Sequence, residues 1–193
     1  MSYHPELAPR RRSWLVATPL AVVVLLTIAW SGFWYYAAGQ AETRIGAWQA
    51  QQASAGRVFA CGKQSVGGYP FRIEARCTDV SVELKDTQPP LALKLKEILV
   101  VSQIWDPKLF IAEFIGPLTG SGPGQGTYAT ASWTLAQASV RGTPDQPDRA
   151  SVVADDLKLT DPGGQPLFDA KHAEFHARIQ FGSWPHNPAI DLA

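Results

Sequence analysis

Charged side chains are absent from Ser13 to Gly39, and from Trp14 to Ala38 the chain runs 25 residues without a polar face, WLVATPLAVVVLLTIAWSGFWYYAA. As a helix this run is about 37 Å long, enough to cross a hydrocarbon core of roughly 30 Å with some tilt. Trp14 marks its near end, and Trp30, Trp34, Tyr35 and Tyr36 crowd its far end, as interfacial aromatic belts do. Pro19 falls in the first turns, where a membrane helix tolerates it. Next, Ala41, Ile45 and Trp48 recur at helical spacing among Gln40, Glu42, Arg44, Gln49, Gln51 and Gln52. That pattern predicts an amphipathic helical stem over 39–56. Its apolar stripe carries few cations for anionic lipid, so it is expected to pack on the segment that follows.

After Gly56 the period becomes two. Val80, Val82 and Leu84 alternate with Ser81, Glu83 and Lys85; Leu91, Leu93 and Leu95 alternate with Ala92, Lys94 and Lys96, ahead of a fuller apolar stretch from Ile98 to Val101. Ala129, Ala131, Trp133 and Leu135 alternate with Thr130, Ser132 and Thr134, and Ala173, Phe175, Ala177 and Ile179 with His172, Glu174, His176 and Arg178. These are half-buried strands with one wet face. Turn signals separate them at Gln88-Pro89-Pro90, Gly120 to Gly126, Gly142 to Pro147 and Asp161 to Gly164. Strands joined in succession by short turns imply an antiparallel meander rather than βαβ units. Asp106 to Gly116 fits a short helix or a strand equally. The expected fold is mainly β: a transmembrane helix and stem, then a curved, groove-like antiparallel sheet. The expected segments are 1–12 (cytoplasmic tail), 13–38 (transmembrane helix), 39–56 (stem) and 57–193 (periplasmic β domain). Pro188 to Ala193 reads as the opening of a further strand, which suggests a β domain incomplete at its C-terminus.

Charge fixes orientation and excludes some partners. Lys plus Arg is 17 and Asp plus Glu is 17, so the net charge is zero and no basic stripe for nucleic acid is present. Arg10, Arg11 and Arg12 stand just before the apolar run, while Glu42 and Arg44 beyond it cancel. The positive-inside rule then places the N-terminus in the cytoplasm and the bulk of the chain in the periplasm, as a single-pass protein of a bacterial inner membrane. A cleaved signal peptide competes, with an Ala-x-Gly site at Ala37 to Gly39. A signal core has about 7–15 apolar residues, and this run is longer and ends in bulky aromatics, which favours an uncleaved anchor.

Cys61 and Cys77 flank a turn signal at Gly67, Gly68, Tyr69 and Pro70. In a hairpin centred on Tyr69 the opposed residues have numbers summing to 138, which sets the two cysteines face to face. The periplasmic side permits a disulfide, and closing such a loop is worth roughly 3 kcal/mol. With no C-x-x-C spacing, neither redox catalysis nor structural zinc is expected.

Other constellations fail on geometry. His172-x-Glu174-x-His176 has metal-ligating residue types, but on a strand its two histidines lie about 13 Å apart, too far to share one ion with bonds of about 2 Å; His186 does not change this. The Gly120 to Gly126 loop lacks a Lys-Ser/Thr ending, is not followed by a helix and contains Pro123, so it is no phosphate loop. Asp155 and Asp156 are adjacent on a strand and point to opposite faces. No G-x-S-x-G element occurs. No catalytic residue, metal or cofactor is expected, and the chain is expected not to be an enzyme.

The order of these marks is distinctive: an anchor, a stem with Ile45 and Trp48, Gly56, Cys61, Val66-Gly67-Gly68-Tyr69-Pro70-Phe71-Arg72-Ile73, Cys77, then Trp105-Asp106-Pro107, Ile111-Ala112-Glu113-Phe114 and Gly116-Pro117. Over nearly its whole length the chain resembles domain-of-unknown-function family 2125, proteobacterial anchored envelope proteins without an assigned activity. Members are usually longer, so the resemblance implies a truncated one. The layout is also similar to AsmA-like envelope proteins, which implies a sheet groove behind one membrane helix and a part in lipid movement. The candidate apolar groove is lined by Val82, Leu84, Leu93, Leu95, Trp133, Leu135 and Phe175. The expected partners are the inner membrane and lipid or another hydrophobic ligand, with no nucleic acid. The alternative is an interaction module that binds another envelope protein through its sheet.

Overall fold

The computed structural model describes residues 14–122, 126–143, 146–180 and 189–192. Arg10, Arg11, Arg12 and His186 lie outside them. Helix α1 runs from Trp14 to Ser54. The chain forms two compact units that divide between Ala37 and Ala38. In the first, Leu20, Leu25, Leu26 and Ile28 expose 63–66% of their surface. The hydroxyls of Thr27 and Ser31 donate to the carbonyls four residues back, so the polar groups of this stretch are satisfied within the helix. By length and composition the helix is able to cross a membrane.

The second unit begins with the stem. Ala38, Ala41, Ile45, Gln49 and Gln52 form its buried and half-buried stripe. Trp48 stacks on Phe59 with ring centroids 4.8 Å apart. The stem thus meets the following segment at Trp48, as expected, while Gln49 and Gln52 make up two of the five positions of its stripe. Hydrogen bonds from Ala55 N to Gln52 O and from Gly56 N to Ala53 O close the helix.

Ten strands follow among the described residues: β1 Arg57–Ala60, β2 Lys63–Gly67, β3 Arg72–Leu84, β4 Leu91–Gln103, β5 Asp106–Ser121, β6 Thr127–Ser132, β7 Leu135–Thr143, β8 Gln146–Thr160, β9 Pro166–Gln180 and β10 Ala189–Leu192. They form one antiparallel sheet. Asp106 to Gly116 is strand, the opening of β5; its Leu109, Ile111, Phe114 and Ile115 serve both faces of a sheet rather than the stripe of a covering helix. The expected strand from Ala129 to Leu135 is instead broken at Trp133 and Thr134, into β6 and β7.

The sheet repeats itself. β1 and β2 lie end to end against β3, which pairs with β4, which pairs with β5. β6 and β7 lie end to end against β8, which pairs with β9, which pairs with β10. The chain thus builds the same five-strand module twice, and the modules join where β5 pairs with β6 and β7.

A transverse crease crosses both modules. β3 and β4 pair on either side of Asp79 and Lys96 but not at them. β8 and β9 likewise skip Asp156 and Lys171. β5 leaves Gly116 and Pro117 outside its ladder with β4 at the same level. Asp79 and Asp156 have φ of 52° and 50°. Asp is among the few residue types that enter the left-handed region at modest cost. The strand breaks sit opposite these residues in the same way: Gly62 N donates to Thr78 O at 2.9 Å, and Thr134 N to Asp155 O at 3.0 Å.

Candidate functional site

Residues that pair directly share a face, so the register sorts the sheet into two surfaces. On the stem side of the crease, Val80, Val82 and Leu84 oppose Leu95, Leu93 and Leu91. The row continues through Leu118 and Gly120, Ala131 and Ala129, Leu159 and Phe168. On the far side, Ala75 and Cys77 oppose Val100 and Ile98, which oppose Ala112 and Phe114. That row runs on through Ala138 and Val140, Val152 and Ala150, then Phe175 and Ala177. Apolar positions step by two on each side of the crease and by three across it, for example Cys77 to Val80 and Ala154 to Leu157. Strict alternation would put the two halves on opposite faces. A left-handed residue at the step breaks the alternation and keeps the apolar surface in phase.

This surface is covered unevenly. Val80 and Leu95 expose only 5% and 8%, in the module whose Phe59 stacks with Trp48 of the stem. Val152 and Phe175, paired directly across β8 and β9, expose 42% and 47%. Phe168, in the same strand pair, is also more than half exposed. The equivalent pair in the first module, Ala75 and Val100, is half-buried.

The sequence-derived groove residues therefore part company. Val82, Leu84, Leu93 and Leu95 do share one face, and Phe175 lies on the apolar row of the far half. Leu135 does not belong with them: it pairs with Asp155, which pairs with His172, on the face opposite Phe175. The break at Trp133 shifts the phase of the strand, which uniform alternation could not anticipate. Trp133 is not a groove wall either. Its indole N–H donates to Phe114 O at 2.7 Å, and its ring lies over Gly116, where a Cβ would meet it at 3.4 Å. It fills the gap in the sheet left between β6 and β7 beside β5.

The disulfide forms between Cys61 and Cys77, with Cα atoms 5.5 Å apart. Its setting differs from a facing hairpin pair. In the actual register Cys77 opposes Gln64, and paired residues sum to 141. Gly67 is the last residue of β2; the turn occupies Gly68, Tyr69, Pro70 and Phe71 and is closed by Arg72 N donating to Gly68 O. Gly68 has φ 95°, and a Cβ there would lie 2.7 Å from Arg72 O, so only glycine fits. Cys61 reaches Cys77 because it stands in the break between β1 and β2. The bond staples the crease of the first module; in the second, Trp133 and Ala154 occupy the corresponding places.

The opposite face is polar around β8 and β9. His172 Nδ1 lies 2.6 Å from Asp155 Oδ1 and its Nε2 3.0 Å from Glu174. His176 Nδ1 meets Ser151 Oγ at 2.9 Å, and its Nε2 reaches Glu174 at 3.4 Å. Hydrogen bonds to Asp155 and then Glu174 raise the His172 pKa; hydrogen bonds from His172 and His176 lower that of Glu174. Glu174 thus spans the two histidines as a carboxylate, and no metal-binding cluster of three such side chains occurs among the described residues.

Over residues 34–193 the sequence matches a family described as "Uncharacterized protein conserved in bacteria (DUF2125)". The chain belongs to that family. No curated protein and no solved structure matches it. In this DUF2125 chain the matched region takes in the end of the apolar run, the stem and both modules. The residues that sequence reasoning missed are those of the repeat. Asp79 and Asp156, Lys96 and Lys171, and the pairs Gln88-Pro89 and Gln165-Pro166 recur about 75–77 positions apart, and a search for such recurrence would have exposed the two modules.

Proposed function

We propose that this protein is a membrane-anchored, non-enzymatic lipid handler. The N-terminal helix holds it in the bacterial inner membrane with the sheet on the periplasmic side, and the open apolar strip of the second module receives an acyl chain. One observation carries the reading: Val152 and Phe175 stand side by side on the apolar face and are nearly half exposed, while the equivalent pair of the first module, Ala75 and Val100, is half-buried. An apolar strip open to water forgoes about 25 cal/mol for each Å² left uncovered, and a hydrocarbon chain recovers that. The neighbours of the pair on the same face are small: Ala150 opposes Ala177 and Ala154 opposes Ala173. The test is native mass spectrometry of the full chain released from nanodiscs. Co-released lipid that Phe175→Asp abolishes supports the reading. Wild-type protein free of lipid, with an unfolded Phe175→Asp variant, sinks it and identifies the strip as an interface with another envelope protein or as ordinary core.

A further inference from the structure

The end of the sheet farthest from the stem combines two features that neither the fold nor the apolar strip requires. β1 joins the stem where Arg57 pairs with Leu84, and β3 runs from there back to Arg72, about 40 Å along the strand. At that far end the β2–β3 turn and the β4–β5 turn come together: Ile104 N donates to Phe71 O at 3.2 Å, and Phe71 and Trp105 pair with ring centroids 6.1 Å apart. Tyr69, Phe71 and Trp105 are all about half or more exposed, Trp105 at 64%. Aromatic side chains this exposed on tight turns present apolar surface at the tip of the sheet.

The second feature is a row of arginines. Arg141 on β7 stands directly opposite Arg149 on β8, which stands directly opposite Arg178 on β9. All three are exposed. Asp106 takes up Arg141 at 3.0 Å, and Asp191 on β10 stands directly opposite Arg178, so Arg149 is the cation of the row without a carboxylate across from it. Arg149, between two like charges, makes no ion pair among the described residues. Like charges directly opposed across strands are destabilising. An anion laid along the row reverses that sign, since guanidinium groups bind phosphate in a forked geometry. The row is level with Leu109, a few residues from the aromatic turns.

We propose that this end of the sheet docks on an anionic lipid surface: Tyr69, Phe71 and Trp105 enter the interfacial layer, and Arg141, Arg149 and Arg178 hold headgroup phosphates. Aromatic rings at headgroup depth with cations beside them are the chemistry that recognises a bilayer rather than an isolated phosphate. The proposal deepens the lipid reading by naming the surface that meets the far end of the sheet, but the two fail separately, because tip variants leave the Val152–Phe175 strip intact.

The full chain, held in phosphatidylcholine nanodiscs, is mixed with vesicles of phosphatidylcholine containing phosphatidylglycerol, and captured nanodiscs are measured by flotation. Capture is expected with these vesicles and not with pure phosphatidylcholine. Arg149→Gln should weaken it about fivefold, the effect of one cation near such a surface. Trp105→Ala should weaken it at least as much, and Arg149→Lys should restore most of it. A far-ultraviolet circular dichroism spectrum and a thermal unfolding midpoint unchanged from wild type show that the sheet is folded in each variant. Equal capture by wild type, Arg149→Gln and Trp105→Ala overturns the proposal. So does capture abolished by inorganic phosphate at constant ionic strength yet indifferent to Trp105→Ala, since that describes a free-anion site.

Discussion

His172 was readable in the sequence as part of the wet face of a strand; that it faces Asp155 was not, because the partner strand begins more than twenty residues earlier and only register brings the two together. The consequence is a pH dependence with a defined sign. His172 is raised above its ordinary 6.5, so its contribution to the β8–β9 pairing is full below 6.5 and is lost as pH rises through the raised value. Glu174 is lowered below its ordinary 4.5, so its contribution is full above 4.5 and is lost as pH falls through the lowered value. The two overlap between 4.5 and 6.5, where the cluster ties the strands most firmly. In an NMR titration, Asp155→Asn should bring the His172 midpoint down toward 6.5; an unchanged midpoint would show that Asp155 is not the cause. Both groups are exposed, so the effect belongs to local protection of β9 rather than to global unfolding.

Strand periodicity located parts of β3, β4, β6 and β9, where apolar and polar positions alternate; it left β5 open between helix and strand and did not mark β8. It failed where the pleat changes phase. Leu135 and the presumed Tyr69-centred register were both misplaced for that reason: each argument carried one parity across a break, at Trp133 in one case and Cys61–Gly62 in the other. Asp79 and Asp156 gave no hint of this in isolation, because an aspartate on a strand's wet face looks ordinary. The crease has testable supports. Breaking the Cys61–Cys77 bond by Cys61→Ser should lower stability by about 3 kcal/mol in denaturant unfolding of the full chain, the value for a loop of this length. Gly62 packs so closely that a Cβ would lie 2.9 Å from Asp79 Cβ, so Gly62→Ala should disturb the same crease with the disulfide intact. At the corresponding place in the second module, Trp133→Phe keeps the ring but strips Phe114 O of its donor. That change should cost about 1–2 kcal/mol, and a variant as stable as wild type would show that the indole only fills space.

At the scale of the molecule, duplication and coverage work against each other. Two modules of like construction present like apolar rows, yet the stem meets the first of them, through Trp48 on Phe59. The sequence could place a stem and count apolar positions, but it could not say which module the stem would meet, since Phe59 carries no mark that makes it the partner of Trp48. This asymmetry predicts opposite behaviour for two apolar residues of the same sheet. Leu95, buried beside Val80, should lose about 2–4 kcal/mol on replacement by alanine, because the site is enclosed and leaves a cavity. Phe175 exposes nearly half its surface and stands on an open strip, so Phe175→Ser should cost the empty protein well under that, about 1 kcal/mol. With lipid present the order changes: a ligand that binds only the folded chain adds stability in proportion to its occupancy, and Phe175→Ser forfeits that gain while Leu95→Ala keeps it. Thermal unfolding of the three proteins, in delipidated form and after incubation with phospholipid, measures both effects at once. A Phe175→Ser variant as damaged as Leu95→Ala in delipidated protein would mean that the second module's apolar row is closed by something already in the chain, and the strip would then hold no ligand.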